Sequence, residues 1–477
     1  MERPKPLKIE ELRKTFQEYD QDHVFRFWDT LSAAGQEKLA RQATELSDFL
    51  PSRIAQYREA RAILKQPKMG KIQPYPAIPL PEHGGDPKTF AQAHEVGLEI
   101  LQAGRVGLLV VAGGQGTRLG FNGPKGALPI GPVSERSLFA LQAQKLHALS
   151  RRLDQPVHWF VMTSPATDGP TRMLFEQMNY FGLPPENVIL FSQGTVPAWT
   201  LDGKLILEEP DQIFESPGGH GDTFRALSDS GALDEMERRG LDRLFYYQVD
   251  NPLVQMADPT FLGFHELEQA EMSCKVIRKV DPMEKVGVMA HCDGRPSLVE
   301  YTELADEQRY AQDQTGQLRY WAGNIAIHTF NLEFLRRVAD DNDRLLPYHA
   351  SAKKIPFLSP GGHTISPDEP NGHKLERFVF DALPTAERVC VLEVRAQDEF
   401  APVKNAQGKD SPDTVRDHLS QLYRGWLMEA GVSLPSQVKN IEIDHSIVDS
   451  AEELAQLRLD TWEQAGEAIR IETGTEK

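Results

Sequence analysis

The stretch of this 477-residue chain best equipped for chemistry is residues 108–125, Leu-Leu-Val-Val-Ala-Gly-Gly-Gln-Gly-Thr-Arg-Leu-Gly-Phe-Asn-Gly-Pro-Lys. A short β-branched apolar run has the length and composition of a buried strand, and Gly113, Gly114, Gly116 and Gly120 end it. Glycines let backbone N–H groups approach a ligand, and N–H groups at a strand-to-helix turn suit phosphate oxygens. Arg118 and Lys125 add two cations, so the chemistry suggested is binding of a polyphosphate nucleotide. Two familiar phosphate loops do not fit. A dinucleotide fingerprint counted from Gly114 and Gly116 needs a third glycine where Leu119 stands, and no Gly-Lys pair is followed by the Ser or Thr of a P-loop.

Further polar motifs follow in order. They are Phe191-Ser192-Gln193-Gly194, Pro217-Gly218-Gly219-His220-Gly221-Asp222, Val249-Asp250-Asn251 and Val286-Gly287-Val288. After them come Val299-Glu300-Tyr301, Ala322-Gly323-Asn324-Ile325-Ala326, Phe378-Val379-Phe380-Asp381 and Pro402-Val403-Lys404-Asn405. Together with the glycine loop, over residues 100–410, this series resembles the UDP-N-acetylglucosamine pyrophosphorylases of the eukaryotic type, within the wider UDP-sugar pyrophosphorylase family.

The resemblance implies a uridylyltransferase that makes UDP-N-acetylglucosamine and pyrophosphate from UTP and N-acetylglucosamine 1-phosphate. A sugar phosphate oxygen would attack the α-phosphorus of UTP in line, assisted by Mg²⁺, with the protein positioning the groups and neutralising charge. Arg118, Lys125 and Lys404 are the implied catalytic cations, Lys404 on the attacking phosphate. Ala112, Gly113, Gly114, Gln193, Gly219, His220 and Asp250 are implied for the nucleotide, and Asp250 also for Mg²⁺. Gly287, Glu300, Asn324, Phe378 and Phe380 are implied for the sugar.

Read without the resemblance, several of these residues have plainer uses. Gln193 offers a donor and an acceptor that suit the uracil edge but also an ordinary loop, and Asp250-Asn251 is equally a turn. His220 is equally a solvated loop histidine, Phe378 and Phe380 equally core, Glu300 and Asn324 strand-edge polar residues, and Lys404 an exposed lysine. One departure bears on specificity. The N-acetylglucosamine enzymes usually carry Gly-Asn-Gly-Gly where this chain has Gly219-His220-Gly221-Asp222, a pattern that resembles UDP-glucose and broad UDP-sugar pyrophosphorylases instead. A UDP-glucose or broad UDP-sugar enzyme is therefore the alternative. A catalytically silent nucleotide-binding regulator is disfavoured because all four charged groups are present.

Elements must bring these residues together. Residues 7–66 read as helical, with Ile9, Leu12, Phe16 and Tyr19 at helical spacing and Pro51 opening a further helix. Six prolines make 67–88 an extended connector. From 89 the chain alternates strand and helix: strands at 106–112, 157–164, 188–191 and 244–249, helices at 137–153 and 171–181 and from near Asp222. Later strands at 274–280, 286–292, 297–304 and 322–329 are joined by short turns, which adds antiparallel segments. The expected fold is α/β: a mixed, mostly parallel Rossmann-like nucleotidyltransferase sheet with a helical N-terminal region and a small C-terminal domain. Domains are expected at 1–88, 89–410 and 411–477, the last rich in helix.

Composition bounds the rest. A net charge of −18 with no basic block argues against nucleic acid or an anionic membrane as partner. Cys274, Cys292 and Cys390 lack the spacing of a zinc site or a disulfide framework, which fits a reducing cytoplasm. The charged start Met1-Glu2-Arg3-Pro4-Lys5 has no apolar segment behind it, so neither a signal peptide nor a membrane span is expected. A monomer or weak homo-oligomer is the expected state.

Overall fold

Val106–Val111 carries no polar side chain, so a strand built from it must be covered on both faces. The computed structural model does so, with Leu108, Leu109 and Val110 at most 1% exposed. It describes residues 7–64, 70–435, 437–448, 450–456, 463–465 and 468–471. The segment Met1–Lys5 and Pro67 of the connector lie outside these residues. Two compact units emerge, neither continuous in sequence. The smaller comprises residues 7–64, 194–222 and 342–381, and the larger comprises 70–193, 223–341 and the described residues from 382 onward.

The larger unit is built on a ten-stranded sheet. Its strands are β1 (Ile72–Pro74), β2 (Val106–Val111), β3 (His158–Thr163), β4 (Val188–Ser192) and β5 (Arg243–Gln248). They continue with β6 (Met272–Arg278), β7 (Val288–Cys292), β8 (Arg295–Val299), β9 (Ala322–Asn331) and β10 (Val389–Val394). The order is β1-β7-β9-β5-β2-β3-β4, with β6 also on β9, β10 on β6 and β8 on β7. β5, β2, β3 and β4 are mutually parallel, whereas β9 runs antiparallel to β5, β6 and β7. The sheet is mixed and mostly parallel in its first half, as the alternating pattern implied.

Three readings need correction. The helix expected at 171–181 runs over Pro165–Gln177, because Ser164 and Thr167 form a capping box and Pro165 opens the helix. Asn179, Tyr180 and Phe181 then have φ of 46°, 51° and 54°, which ends it. The proline-rich connector is more than a link. β1 pairs with β7, and Ile78 N–H donates to the Val391 carbonyl at 2.8 Å, so the segment edges the sheet. The C-terminal portion has the expected long helix, Pro412–Glu429 with Ser411 as its cap, but also a three-stranded sheet of Asn440–Ile443, Ala468–Ile471 and Glu463–Ala465.

In the smaller unit, helices Ile9–Glu18, Ala33–Ser47 and Leu50–Ile63 bury Leu12, Phe16, Leu39 and Tyr57 in one core with Val196, Trp199, Leu207 and Leu375. Tyr57 stacks on Trp199 at 5.1 Å and donates its hydroxyl to the Thr200 carbonyl at 2.9 Å. The helices are completed by apolar residues from two later stretches of chain.

Candidate active site

β2 ends where the glycines begin, and the chain beyond it folds back. Ala112 N–H donates to the Met162 carbonyl at 2.7 Å, extending the pairing of β2 with β3 by one residue. Gly116 N–H reaches the Gly123 carbonyl at 2.9 Å and Lys125 N–H the Gly114 carbonyl at 3.0 Å, which closes the loop. A 3-10 turn, Thr117–Leu119, carries Arg118, exposed and in no ion pair among the described residues. A Cβ at Gly113 would lie 2.5 Å from Gln193 Nε2, whereas one at Gly114 would meet nothing within 4 Å. A side chain at the first position would therefore displace the Gln193 amide, and the second leaves a bare backbone face.

Closure of the loop delivers Lys125 to Asp250. Nζ donates to Oδ2 at 2.9 Å, with the two side chains 17% and 12% exposed. The two residues lie beyond the ends of neighbouring parallel strands, β2 and β5, which is how 125 residues of sequence separation close to one ion pair. Gln193 follows β4 in the same row of strand ends, its N–H on the Thr163 carbonyl at 3.0 Å. Its side chain is buried, and Oε1 has no hydrogen-bond partner among the described residues. An unpaired buried acceptor costs free energy unless something donates to it, and a uracil imide N–H is a donor of that kind.

The fold also brings Lys404 back. Val403 N–H donates to the Asp250 carbonyl at 2.9 Å, so the exposed Lys404 stands one residue beyond a bond to the Asp250 turn. Asn251 secures the same approach: its Oδ1 accepts from Ala401 N–H at 3.1 Å and its Nδ2 donates to the Glu399 carbonyl at 2.7 Å.

Register unites the residues implied for the sugar that lie in this unit. Val288 of β7 pairs with Val299 of β8 on one side and with Gly323 of β9 on the other. Gly287, Glu300 and Asn324 are each the next residue along, and Asn324 N–H donates to the Gly287 carbonyl at 2.9 Å. Because β9 runs antiparallel to β5, its beginning lies at the end of the sheet where β5 finishes. Asn324 has a second task, as its Oδ1 accepts from Ala326 N–H at 2.6 Å within an irregular stretch of β9 where Ala326 has φ of 57°.

The smaller unit holds the other four candidates. Gly219 has φ of 87°, and a Cβ there would lie 2.6 Å from the Arg377 carbonyl oxygen; one at Gly221 would lie 2.5 Å from Phe378 N. These glycines thus admit the chain's own backbone at 377–378. Gly221 N–H donates to the Arg377 carbonyl at 2.8 Å, and Arg377 N–H to the Gly218 carbonyl at 2.8 Å. His220 is no solvated loop residue: its Nδ1 accepts from Val379 N–H at 3.1 Å, with its ring 5.4 Å from Phe378 and 5.7 Å from Phe380. Burial pulls the imidazole down to about 4, Asp381 opposing and His349 reinforcing, so the ring is neutral and able to accept. Phe378 and Phe380 stack at 5.1 Å, and His349 stacks on Phe378 at 4.6 Å.

Two residues escaped the sequence reading. Asn251 stood inside a quoted motif, but nothing local reveals that its amide reaches residues 399 and 401. Lys279, just beyond β6, is only 3% exposed and has no ion pair among the described residues; burial lowers its pKa. A lysine after an apolar strand carries no sequence signal of burial. As for a metal, no group of three or more His, Cys, Asp or Glu among the described residues could hold one. Asp250 offers a single carboxylate, which fits Mg²⁺ only where phosphates and water complete the shell.

Comparison with known proteins gives concordant results. The family described as UTP–glucose-1-phosphate uridylyltransferase matches residues 59–431. The chain is 34% identical over 469 residues to the UDP-N-acetylglucosamine pyrophosphorylase of Saccharomyces cerevisiae, covering 95% of this chain and 98% of that protein. It is 37% identical over 442 residues to the human UDP-N-acetylhexosamine pyrophosphorylase-like protein 1, covering 88% of this chain and 86% of that one. The solved structure of the uridine diphosphate N-acetylglucosamine pyrophosphorylase from Trypanosoma brucei, in complex with an inhibitor, aligns with a TM-score of 0.82 at 27% identity. That alignment covers 97% of this chain and 98% of that one.

Proposed function

Since the chain belongs to the UTP–glucose-1-phosphate uridylyltransferase family, we propose that it joins UTP to N-acetylglucosamine 1-phosphate, yielding UDP-N-acetylglucosamine and pyrophosphate. The observation that carries the reading is the Lys125–Asp250 pair at 2.9 Å, beside a glycine loop packed on the Gln193 amide. A cation, a carboxylate and a base-reading amide at the same end of parallel strands β2, β5 and β4 are what a nucleoside triphosphate requires.

In this mechanism the sugar phosphate supplies the nucleophile, so no Ser or Cys nucleophile is needed. Arg118 and Lys125 hold the triphosphate, Lys404 holds the attacking phosphate, and the Gly287–Glu300–Asn324 row orients the sugar. Lys125 exchanges its carboxylate partner for phosphate oxygens when UTP arrives. Asp250 would hold Mg²⁺, which when bound supplies neutralising charge on the phosphates. The roles of Gly219, His220, Phe378 and Phe380 rest on the resemblance. The departure at His220 is compatible with an N-acetylated sugar, because an asparagine there would carry a side-chain acceptor of the same kind for Val379 N–H. Three free cysteines fit the cytoplasm, and among the described residues no helix is long and apolar enough to cross a membrane. We take the active form to be a monomer or weak homo-oligomer.

Pyrophosphate release from UTP and Mg²⁺, measured in parallel with N-acetylglucosamine, glucose and galactose 1-phosphates, tests the reading. Preference for the N-acetylated sugar is expected. Preference for glucose or galactose would transfer the assignment to the UDP-glucose or broad UDP-sugar enzymes, and no release with any sugar would overturn it. Chelation with EDTA is expected to abolish release and added Mg²⁺ to restore it; full activity in EDTA would remove the metal from Asp250.

A further inference from the structure

Asn251 does more than a turn asks of it. A turn uses the bond from Leu253 N–H to Oδ1, at 3.3 Å. The other two bonds of the buried side chain, to Ala401 N–H and the Glu399 carbonyl, reach 150 and 148 residues along the chain. The side chain of Glu399 is anchored as well. Lys275 Nζ lies 2.6 and 2.7 Å from its two oxygens and 2.8 Å from Asp258 Oδ2, and the Lys275 side chain is 0% exposed. Three buried charges are a poor way to gain stability, since apolar residues of similar size serve as well or better. What such a cluster secures is geometry.

That geometry ends at Lys404. Ala401 and Val403 are buried, Val403 N–H is bonded to the Asp250 carbonyl, and Lys404 N–H is bonded to the Asp410 carbonyl at 2.7 Å. The backbone on either side of Lys404 is therefore fixed, and its side chain projects from a fixed point. The carboxylate of Asp250 meanwhile holds Lys125. One two-residue turn thus sets the cation assigned to the triphosphate and the cation assigned to the sugar phosphate in register.

We infer that Asn251, braced by the Asp258–Lys275–Glu399 cluster, is a positioning residue that fixes Lys404 relative to the Asp250 turn. This rests on the reading of Lys404 given above. Both reactants are anionic and must meet in line, so small errors in the placement of the second cation are costly.

The test uses the full-length enzyme and a kinetic cycle of Asn251→Ala, Lys404→Ala and the double variant, alongside hydrogen exchange at the Ala401 and Val403 amides. Asn251→Ala is expected to lower kcat/KM for the sugar 1-phosphate by about 10–100-fold while KM for UTP stays within about twofold. Adding it to Lys404→Ala should change little, because both act through one group. The Ala401 and Val403 amides should lose protection. Asn251→Asp keeps the acceptor for Ala401 and loses the donor to Glu399, so an intermediate effect is expected even where the alanine variant folds poorly. Multiplicative effects in the double variant, or equal damage to both substrates, would overturn the inference, as would unchanged amide protection. Lost protection together with normal turnover by Lys404→Ala would instead overturn the assignment of Lys404 and leave the brace intact.

Discussion

Lys125 and Asp250 neutralise each other at 2.9 Å in a partly buried setting, where a charge left alone is penalised. Removing the lysine therefore leaves the carboxylate unpaired and, on the proposed mechanism, takes one preorganised cation from the transition state. Lys125→Ala is expected to lower kcat by about 10²–10³-fold with an unchanged circular dichroism spectrum; near-normal turnover in a folded variant would contradict the assignment. Gln193 gives the opposite balance, because its buried Oε1 has no partner among the described residues. Gln193→Met is expected to raise the thermal midpoint by relieving about 1–3 kcal/mol of unpaired polarity, while raising KM for UTP at least about tenfold. A fall in the midpoint would mean that the amide serves the fold and not a ligand. The glycines, Lys125 and Asp250 after apolar runs were visible in the sequence, but the ion pair that joins the last two was not, because it depends on strands β2 and β5 being neighbours. Nor was the acceptor role of His220, because it depends on Val379, 159 residues away.

Among the elements, β9 carries an irregular stretch just beyond Asn324, its one contribution to the row proposed for the sugar. Pairing with β6 skips from Cys274–His328 to Val276–Asn324, and in the gap Ala326 takes φ of 57°. That conformation suits glycine better than any β-branched residue. Ala326→Gly is expected to be neutral or stabilising by up to about 1 kcal/mol in urea unfolding, and Ala326→Val to cost about 1–3 kcal/mol. Equal stability of the two variants would show that this backbone is not strained. Strands at β2, β5 and β9 were read to within a few residues, because β-branched and aromatic runs too short for a helix and bounded by turn residues favour strand. The helix at Pro165–Gln177 was displaced because its cap is polar and its apolar periodicity is weak. Nothing in the sequence of β9 marks Ala326, since an alanine at positive φ is imposed by its neighbours.

For the molecule as a whole, burial of histidines links stability to pH. His158, His220 and His265 are each pulled to about 4, with burial the largest cause in every case. In the unfolded chain such groups titrate near 6.5, so the unfolded state takes up protons that the native state refuses. The contribution of the neutral rings is complete above about 6.5 and is lost as pH falls toward 4. His220→Asn keeps an acceptor for Val379 N–H and removes one such group. It is expected to lose less of its thermal midpoint between pH 6.5 and 4.5 than the parent, and equal losses would contradict the burial argument. The sequence by itself determined the local chemistry: the glycine loop, the order of motifs, the alternation of strand and helix, and the resemblance that the family match bears out. These follow from residue type and short-range spacing, which a linear chain displays directly. Tertiary structure alone decided which distant residues share a bond. It placed helices Ile9–Glu18, Ala33–Ser47 and Leu50–Ile63 in one unit with residues 194–222 and 342–381, closed Lys125 onto Asp250, and bonded Ala401 and Val403 to the Asp250-Asn251 turn. Those contacts depend on strand order and register, which arise from the burial of whole faces and leave no mark on either partner's neighbours in sequence.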